Sequence, residues 1–233
     1  MLIAVPKETF PGEHRVALVP AAIGPLVKKK LQVQVEAGAG IAAGITDDEF
    51  RAAGAEIVTD RAALLKAADI VLQVRTLGAN PEAGKSDLPL LKEPSVLIGT
   101  ADPLGNPQAT KTLADSGVTL FAMELIPRIT RAQSMDVLSS MATIAGYKAV
   151  LLAANHLPKI FPMLMTAAGT LTPAKVLVIG AGVAGLQAIA SSKRLGGVVS
   201  AYDVRPGGRE QIESFGGKFS ELDLAPAEAE DKG

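Results

Sequence analysis

Residues 175–203 read KVLVIGAGVAGLQAIASSKRLGGVVSAYD, and this stretch decides the fold of the C-terminal part of the chain. A β-branched strand, 175–179, runs into a glycine-rich turn, and a helix follows to about Leu195. A second strand, 198–202, ends at Asp203. This order of elements is typical of the opening half of a Rossmann dinucleotide-binding unit.

Three glycines in the turn have separate expected roles. Gly180 allows the tight turn, Gly182 lets the backbone approach a pyrophosphate, and Gly185 permits close packing of helix against strand. The following helix N-terminus offers unpaired N–H groups and a positive dipole end to the phosphates. A glycine-rich turn alone also occurs as a purely structural feature, but the complete strand, helix and acidic residue around this one favour dinucleotide binding.

The end of the second strand predicts the choice of nucleotide. Asp203 lies about 20 residues beyond the turn, where a carboxylate accepts the adenosine ribose hydroxyls and repels a 2′-phosphate, so it favours NAD over NADP. Val204 and Arg205 follow directly and are counted with the cofactor-binding residues. Arg205 is the one feature against strict NAD preference, because a nearby arginine can accept the 2′-phosphate.

Composition limits the other classes of function. The chain has 233 residues, 48% hydrophobic and 20% charged, which predicts a globular protein of two modest domains. Its 23 basic and 24 acidic residues form no basic field, so nucleic acid is not an expected partner. With no cysteine and two histidines, we expect no disulfide and no metal site. The N-terminus lacks the charged start and long apolar run of a signal peptide.

The N-terminal part of the chain, 1–135, alternates short apolar runs with helical patterns. Such alternation predicts a flavodoxin-like or Rossmann-like α/β domain with a parallel sheet. Thr46 and Glu49 form a capping-box pattern at one helix start. No strand-to-helix turn here carries a glycine-rich motif, so we do not place the dinucleotide phosphates in this domain. The predicted strands are LIAV, VQVEAG, AEIVTD, DIVLQVR, SVLIGT and VTLFAM.

A long helical pattern, 136–160, links this domain to a second one, 161–233, that holds the glycine-rich turn. The apolar stripe of the helix fits either an interdomain helix or a plain core helix. Tyr147 and Lys148 interrupt its most apolar stretch, so we expect no direct membrane span. The fold class predicted is therefore α/β, with two Rossmann-like domains with parallel sheets joined by a long helix, the second incomplete.

Two longer stretches resemble a known family. PRITRAQSMDVLSSMATIAGYKAV (127–150) and FPMLMTAAGTLTPAKVLVIGAGVAGLQAIASSKRLG (161–196) closely resemble the NAD(H)-binding domain, the alpha or domain I component, of proton-translocating nicotinamide nucleotide transhydrogenases. PKETFPGEHRVALVP (6–20) resembles an opening that these enzymes share with alanine dehydrogenases. The stretch RAQSMDVLSS (131–140) is the specific part of the resemblance.

The resemblance implies a chain that binds NAD(H) and passes hydride from NADH to NADP+ held on a partner domain, coupled to proton movement through a membrane domain. It places Arg128, Gln133, Asp136 and Ser139 around the nicotinamide as the catalytic positions. Each of these side chains, taken alone, also has an ordinary structural explanation. Arg128 and Asp136 could form a surface ion pair, Gln133 could be a solvated side chain, and Ser139 could be a hydroxyl on a helix. The absence of a catalytic histidine is no objection, because hydride transfer is the cofactor's own chemistry and needs positioning.

The same resemblance implies the assembly and the location. The expected partners are the NADP(H)-binding domain and the membrane domain, with a homodimer of this chain. The expected location is cytoplasmic, peripheral to the inner membrane through those partners.

The sequence also departs from the family pattern. In the usual 3-2-1-4-5-6 strand order, strand 4 pairs beside strand 1, so the strand at 175–179 is expected to have an open edge. After a short third strand predicted near 218–222 the sequence ends in LAPAEAEDKG, which we interpret as a loop or frayed tail. Either the sequence is part of a longer chain or another chain completes the fold.

Two rival functions remain open. The first rival is an alanine dehydrogenase, which shares the architecture. In that family the arginine that corresponds to Arg15 holds the substrate carboxylate. The substrate pocket of that family also needs a lysine and a histidine. This sequence has Arg75 in VLQVR and no histidine in VLIGTADPL (96–104), which argues against that substrate pocket. The second rival is a non-catalytic NAD-binding module.

Overall fold

A computed structural model describes residues 1–205 and 207–221 of the chain. The chain divides into two compact units, Met1–Met135 and Asp136–Gly233. The long helix belongs to the second unit. The strand predicted near 218–222 extends partly, and the tail LAPAEAEDKG entirely, outside the described residues.

Unit 1 is built on a six-stranded sheet in which every pairing is parallel. Each of its strands overlaps a run predicted from the sequence, which confirms the α/β alternation. The strand order is β3-β2-β1-β4-β5-β6, the order of a doubly wound nucleotide-binding sheet. The strands are β1 (Leu2–Val5), β2 (Gln32–Glu36), β3 (Glu56–Val58), β4 (Ile70–Arg75), β5 (Val96–Thr100) and β6 (Thr119–Ala122).

Helices cover both faces of this sheet. Successive side chains of β1 point to opposite faces, so Ile3 packs with Ile23 and Phe50 in one buried cluster while Ala4 packs with Leu64 in another. The predicted capping box is present, since Thr46 accepts the Glu49 backbone N–H and Glu49 accepts the Thr46 N–H. The helices are α1 (Pro20–Lys28), α2 (Asp47–Ala52), α3 (Arg61–Ala67), α4 (Gly84–Asp87) and α5 (Pro107–Asp115), with 3-10 turns at Ile41–Ala43, Leu88–Leu90, Met123–Leu125 and Thr130–Met135.

Unit 2 begins with the predicted long helix and continues into half of a second parallel sheet. Its strand order, β11-β10-β9, corresponds to strands 3-2-1 of the Rossmann order. The elements are α6 (Val137–His156), β7 (Leu164–Thr166), β8 (Gly169–Leu171), β9 (Lys175–Ile179), α7 (Val183–Arg194), β10 (Val198–Tyr202), α8 (Gly208–Ser214) and β11 (Lys218–Phe219).

Strand β9 pairs with β10 and forms the outer edge of the sheet within the described part of the chain, as the sequence predicted. Two of its apolar side chains are exposed there, Leu177 at 55% and Ile179 at 75%. An unpaired, apolar edge strand is a template for further strand pairing. The second sheet is therefore open on the side where a fourth strand would pair.

The segment between α6 and β9 differs from the prediction. The sequence predicted no strand between 161 and 174, but residues 164–171 form an antiparallel hairpin of β7 and β8. Thr166 closes its turn, because its hydroxyl accepts the Ala168 N–H and donates to the Gly169 carbonyl oxygen. These local bonds compensate for strands of only three residues each.

Helix α6 is, within residues 1–205 and 207–221, the one helix long and apolar enough to cross a membrane, judged by length and composition alone. One such helix is weak evidence for a membrane span, so the expectation of no direct span stays a prediction. Core helices of ordinary globular proteins satisfy the same criteria when buried, whereas much of α6 is exposed here. Its exposed apolar side chains include Leu138, Met141, Ile144, Tyr147 and Leu152.

Candidate functional site

The turn between β9 and α7 depends on the conformational freedom of glycine. Gly180 has φ +94°, in the region that side chains other than glycine rarely adopt, and its N–H donates to the Tyr202 carbonyl at 2.8 Å. Gly182 is the N-cap of α7, and a Cβ built on it meets no atom within 4 Å. The space beside Gly182 is thus open at the end of the helix that attracts anions.

Gly185 lies where helix and strand come closest. A Cβ at this position would lie 1.8 Å from the Gly180 carbonyl oxygen, so a side chain cannot fit without movement of the backbone. This contact is the close packing predicted for the third glycine. The distance between α7 and the turn is therefore set by the absence of a side chain at 185.

A second close approach fixes α7 from the other side. Gly146 of α6 faces the first turn of α7, and a Cβ there would lie 2.1 Å from the Ala184 carbonyl oxygen. Helices α6 and α7 pack closely as a result, and Gly146 and Val150 are the buried residues of α6. The position of the glycine-rich turn thus depends on a helix that precedes it in the chain.

Asp203 directly follows the last residue of β10 and lies beside this turn, and it is only 8% exposed. Its carboxylate accepts the Ala181 N–H at 2.5 Å on Oδ2 and the Arg205 N–H at 2.8 Å on Oδ1. The Arg205 guanidinium also donates to it, from Nε to Oδ1 at 3.0 Å and from Nη2 to Oδ2 at 3.2 Å. These bonds, those from the Arg205 side chain most, lower the pKa of Asp203 to about 2, so the carboxylate is ionised at neutral pH.

The two residues after Asp203 differ in their surroundings. Val204 is 63% exposed, so its side chain is not part of the core. Arg205 instead folds back over the turn, where its Nη2 donates to the Ala181 carbonyl oxygen at 3.0 Å. The sequence placed Arg205 near the cofactor, but it did not reveal that this guanidinium binds Asp203 directly.

This geometry fits the adenosine and pyrophosphate parts of a dinucleotide. The open space at Gly182 and the start of α7 suit an anion, and the buried carboxylate of Asp203 suits a pair of hydroxyl donors. The structure thus brings together five of the residues assigned to cofactor binding: Gly180, Gly182, Gly185, Asp203 and Arg205.

Of the four residues assigned to the nicotinamide, two are joined in unit 2. Asp136 is the N-cap of α6, and its carboxylate accepts the Ser139 backbone N–H at 2.8 Å and the Ser139 hydroxyl at 2.6 Å. Arg128 and Gln133 belong to unit 1, where both are exposed. Gln133 lies in the 3-10 helix Thr130–Met135 and Arg128 just before it.

Arg15 and Arg75, the two residues discussed for the alanine dehydrogenase alternative, belong to one cluster of charged side chains in unit 1. Glu13 accepts hydrogen bonds from the Arg15 guanidinium at 2.6 and 2.7 Å and from Arg75 Nε at 2.9 Å. The bonds from Arg15 are the main reason that the pKa of Glu13 falls to about 2. The Arg75 guanidinium also lies 4.3 Å from the centre of the Phe10 ring.

Glu8 lies beside this cluster and accepts the backbone N–H groups of Val74 and Arg75. Burial raises the pKa of the Glu8 carboxyl, although those two bonds oppose the shift. Arg15 and Arg75 were singled out from the sequence, but the carboxylate that joins them was not. The spacing Glu13-His14-Arg15 was the available signal, since it suits a local ion pair. No group of three potential metal ligands occurs among the described residues.

Comparisons with known proteins place this chain in a family. The sequence model described as "Alanine dehydrogenase/PNT, N-terminal domain" matches residues 4–145, and its C-terminal counterpart matches residues 149–232. The chain belongs to the alanine dehydrogenase/PNT family. The resemblance noted in the sequence is thereby confirmed.

Within the alanine dehydrogenase/PNT family the chain is more similar to transhydrogenases than to an alanine dehydrogenase of known structure. It is 51% identical over 223 residues to an NAD(P) transhydrogenase alpha subunit of Rhodospirillum rubrum, covering 96% of this chain and 58% of the relative. The crystal structure of the transhydrogenase from Sinorhizobium meliloti matches with a TM-score of 0.89 and 48% identity, over 96% of this chain and 62% of that one.

A solved L-alanine dehydrogenase matches with a TM-score of 0.81 and 27% identity, over 95% of this chain and 61% of that one. The matches to both kinds of protein confirm the α/β fold with parallel sheets. The chain spans about three fifths of the length of these relatives.

Proposed function

We propose that this chain is the NAD(H)-binding component of a proton-translocating transhydrogenase, which passes hydride from NADH to NADP+ held on a partner domain. The observation that carries the proposal is the glycine turn at 180–185 closed against the buried Asp203. It occurs in a chain 51% identical to a transhydrogenase alpha subunit. The proposed assembly contains an NADP(H)-binding domain, a membrane domain and a homodimer of this chain, located at the cytoplasmic side of the inner membrane.

In this proposal unit 2 holds the nucleotide. The first N–H groups of α7 bind the pyrophosphate, because the open backbone at Gly182 admits it and the helix dipole attracts its charge. Asp203 accepts the adenosine ribose hydroxyls, and its lowered pKa supports this role because only the ionised form accepts with both oxygens. The bound nucleotide supplies the hydride from its nicotinamide ring.

The residues at 128–139 then position the nicotinamide for transfer. Gln133 has both a donor and an acceptor on one amide, which suits a carboxamide or ribose hydroxyl, and its exposure leaves it available. The Asp136 carboxylate accepts hydrogen bonds from the backbone N–H and the hydroxyl of Ser139 at the start of α6, and these bonds limit the rotamers of both side chains. Arg128, which is exposed in unit 1, is the fourth residue of the proposed set. Two reacting rings must approach within roughly 3–3.5 Å, so positioning is the main contribution of these side chains.

The proposal is tested by shortening one side chain by a single methylene. Gln133→Asn should slow hydride transfer on the order of 100-fold, because a displacement of about 1 Å costs that much in a positioned reaction. NADH affinity, set mainly at 180–203, should change little. Stopped-flow transfer rates with saturating NADP(H)-binding partner give the first quantity, and calorimetry gives the second.

Gln108→Asn in α5 is the matched control, since Gln108 is also exposed in unit 1 but lies outside the proposed site. It should leave rate and affinity unchanged. If Gln133→Asn leaves the rate unchanged, or lowers rate and affinity in proportion, residue 133 is a binding or structural element and its assignment to the transfer step is wrong.

The alanine dehydrogenase alternative rests on the shared fold and on Arg15. In unit 1 the Glu13 carboxylate forms ion pairs with both Arg15 and Arg75. A carboxylate of the chain itself therefore occupies the position beside Arg15 that a substrate carboxylate would take in the alternative. An assay with NADH and an NADP+ analogue, run beside one with alanine and NAD+, separates the functions. Turnover of alanine alone would support the alternative, and nucleotide binding without either turnover would indicate a non-catalytic module.

A further inference from the structure

The hydrogen bonds of Asp203 use its entire capacity as an acceptor. A carboxylate offers about four lone-pair positions, two on each oxygen. Oδ1 accepts the backbone N–H and Nε of Arg205, and Oδ2 accepts the Ala181 N–H and Nη2 of Arg205. Two of the four bonds thus come from the backbone and two from one guanidinium. A further donor can reach Asp203 only if one of these four gives way.

The two backbone donors belong to the turn itself, whereas the guanidinium belongs to a side chain that also donates from Nη2 to the Ala181 carbonyl oxygen at 3.0 Å. The side chain of Asp203 is 6% exposed, but that of Arg205 is 42% exposed, so the arginine lies on the solvent side of the pair. Its Nε and Nη2 reach the two oxygens from one side, as the fork geometry of an arginine allows. The 2′ and 3′ hydroxyls of a ribose would present the same pattern, two neighbouring donors for two oxygens.

We propose that the Arg205 guanidinium is a displaceable substitute for the adenosine ribose and thereby sets the selectivity between NADH and NADPH. This inference rests on the proposed function of unit 2 as the nucleotide-binding unit. When the ribose diol of NADH binds Asp203, Nε and Nη2 must leave the carboxylate, so Arg205 competes with NADH. When the ribose carries a 2′-phosphate, the displaced guanidinium pairs with that anion, so Arg205 favours NADPH.

The experiment compares both nucleotides on the full-length protein. Binding of NADH and of NADPH is measured by calorimetry for the unmodified protein, Arg205→Ala and Arg205→Lys. In Arg205→Ala the ratio of the two dissociation constants, NADPH over NADH, should rise on the order of 10-fold, which matches the loss of one hydrogen bond to a charged group. NADH should bind as tightly as before or more tightly. Arg205→Lys keeps the charge without the fork, so NADPH binding should be largely retained.

Arg209→Ala provides the matched control. Arg209 lies in α8, close in sequence, and pairs with Glu221 and the Phe219 ring instead of Asp203. It should leave the ratio unchanged. A change in the fold of unit 2 would alter both nucleotide affinities together, whereas a selectivity residue alters their ratio.

Two results would overturn the inference. One is an Arg205→Ala protein whose NADPH/NADH ratio is unchanged or falls. The other is an Arg205→Lys protein that loses NADPH binding as fully as Arg205→Ala, because the charge would then have no part in selectivity. If the unmodified protein binds neither nucleotide, the proposed function itself is wrong and this inference fails with it, a result distinct from the other two.

Discussion

Two glycines of the turn, Gly182 and Gly185, separate binding from stability at the residue scale. A Cβ at Gly182 meets nothing within 4 Å, whereas a Cβ at Gly185 would lie 1.8 Å from a backbone oxygen. Gly182 is therefore needed so that a ligand can approach the turn, and Gly185 is needed so that the turn can pack against α7. The GxGxxG pattern predicts both roles, because it carries one requirement at each position.

The pair gives a direct prediction. Gly182→Ala should leave the unfolding temperature unchanged and weaken NADH binding about 10-fold or more, because the added methyl group occupies space that the pyrophosphate needs. Gly185→Ala should lower the stability of unit 2 by about 1–3 kcal/mol through overpacking. Thermal unfolding and calorimetric titration of both variants test this. Equal losses of stability in the two variants would contradict it.

Glu13 carries a prediction about pH. Its side chain is 5% exposed, and hydrogen bonds from Arg15 lower its pKa from 4.5 to about 2 in the folded protein. Because the folded-state pKa is the lower one, the stabilisation is fully present above about pH 4.5 and is lost as pH falls toward about 2. The contribution at neutral pH is on the order of 3 kcal/mol.

Glu13→Gln should accordingly lower stability at pH 7 and flatten its pH dependence between about 4.5 and 2. Denaturant unfolding at a series of pH values measures this. Glu82→Gln, at an exposed position of unit 1, is the control and should keep the slope of the unmodified protein. A Glu13→Gln protein with the unmodified slope would show that the Arg15 and Arg75 pairs do not set the acid stability.

At the scale of elements, the strands and helices that were predicted correctly are those with long or clearly periodic apolar segments. All six strands of unit 1 and the order β9-α7-β10 were predictable, because buried parallel strands are continuous apolar runs bounded by turn residues. The hairpin at 164–171 was missed, since its three-residue strands are too short for a period and its turn is closed by the Thr166 hydroxyl. The Asp203–Arg205 pair was missed because a spacing of two residues does not show which way a guanidinium turns.

The open edge of β9 gives the element-scale prediction. A chain of residues 1–233 should self-associate through this strand, and Leu177→Lys should reduce that association because a charge on an edge strand opposes pairing. Leu104→Lys is the matched control, since Leu104 is 85% exposed in unit 1 and lies outside any strand. Sedimentation velocity measures both. A monomeric unmodified chain with full nucleotide affinity would show that the open edge is harmless.

For the whole molecule, two separate cores imply that a ligand of one unit need not stabilise the other. The cores of unit 1 and unit 2 are distinct buried clusters, and the glycine turn belongs to unit 2 alone. NADH at 100 times its dissociation constant should stabilise the unit that binds it by about 2.7 kcal/mol. Because the proposed pyrophosphate and adenosine contacts all lie in unit 2, hydrogen exchange should slow more in β9 and β10 than in the strands of unit 1. Equal protection of both sheets would contradict the assignment of the nucleotide to unit 2.

The contact of Gly146 with Ala184 has a genetic consequence. A random screen for loss of nucleotide binding should recover substitutions at 146 as readily as at the glycines of the turn, although residue 146 lies far upstream in the chain. Second-site suppressors should not arise at 184, because the atom that a Cβ at 146 would strike is a main-chain oxygen, which every amino acid carries. Compensation would have to come from changes that move α6 as a whole.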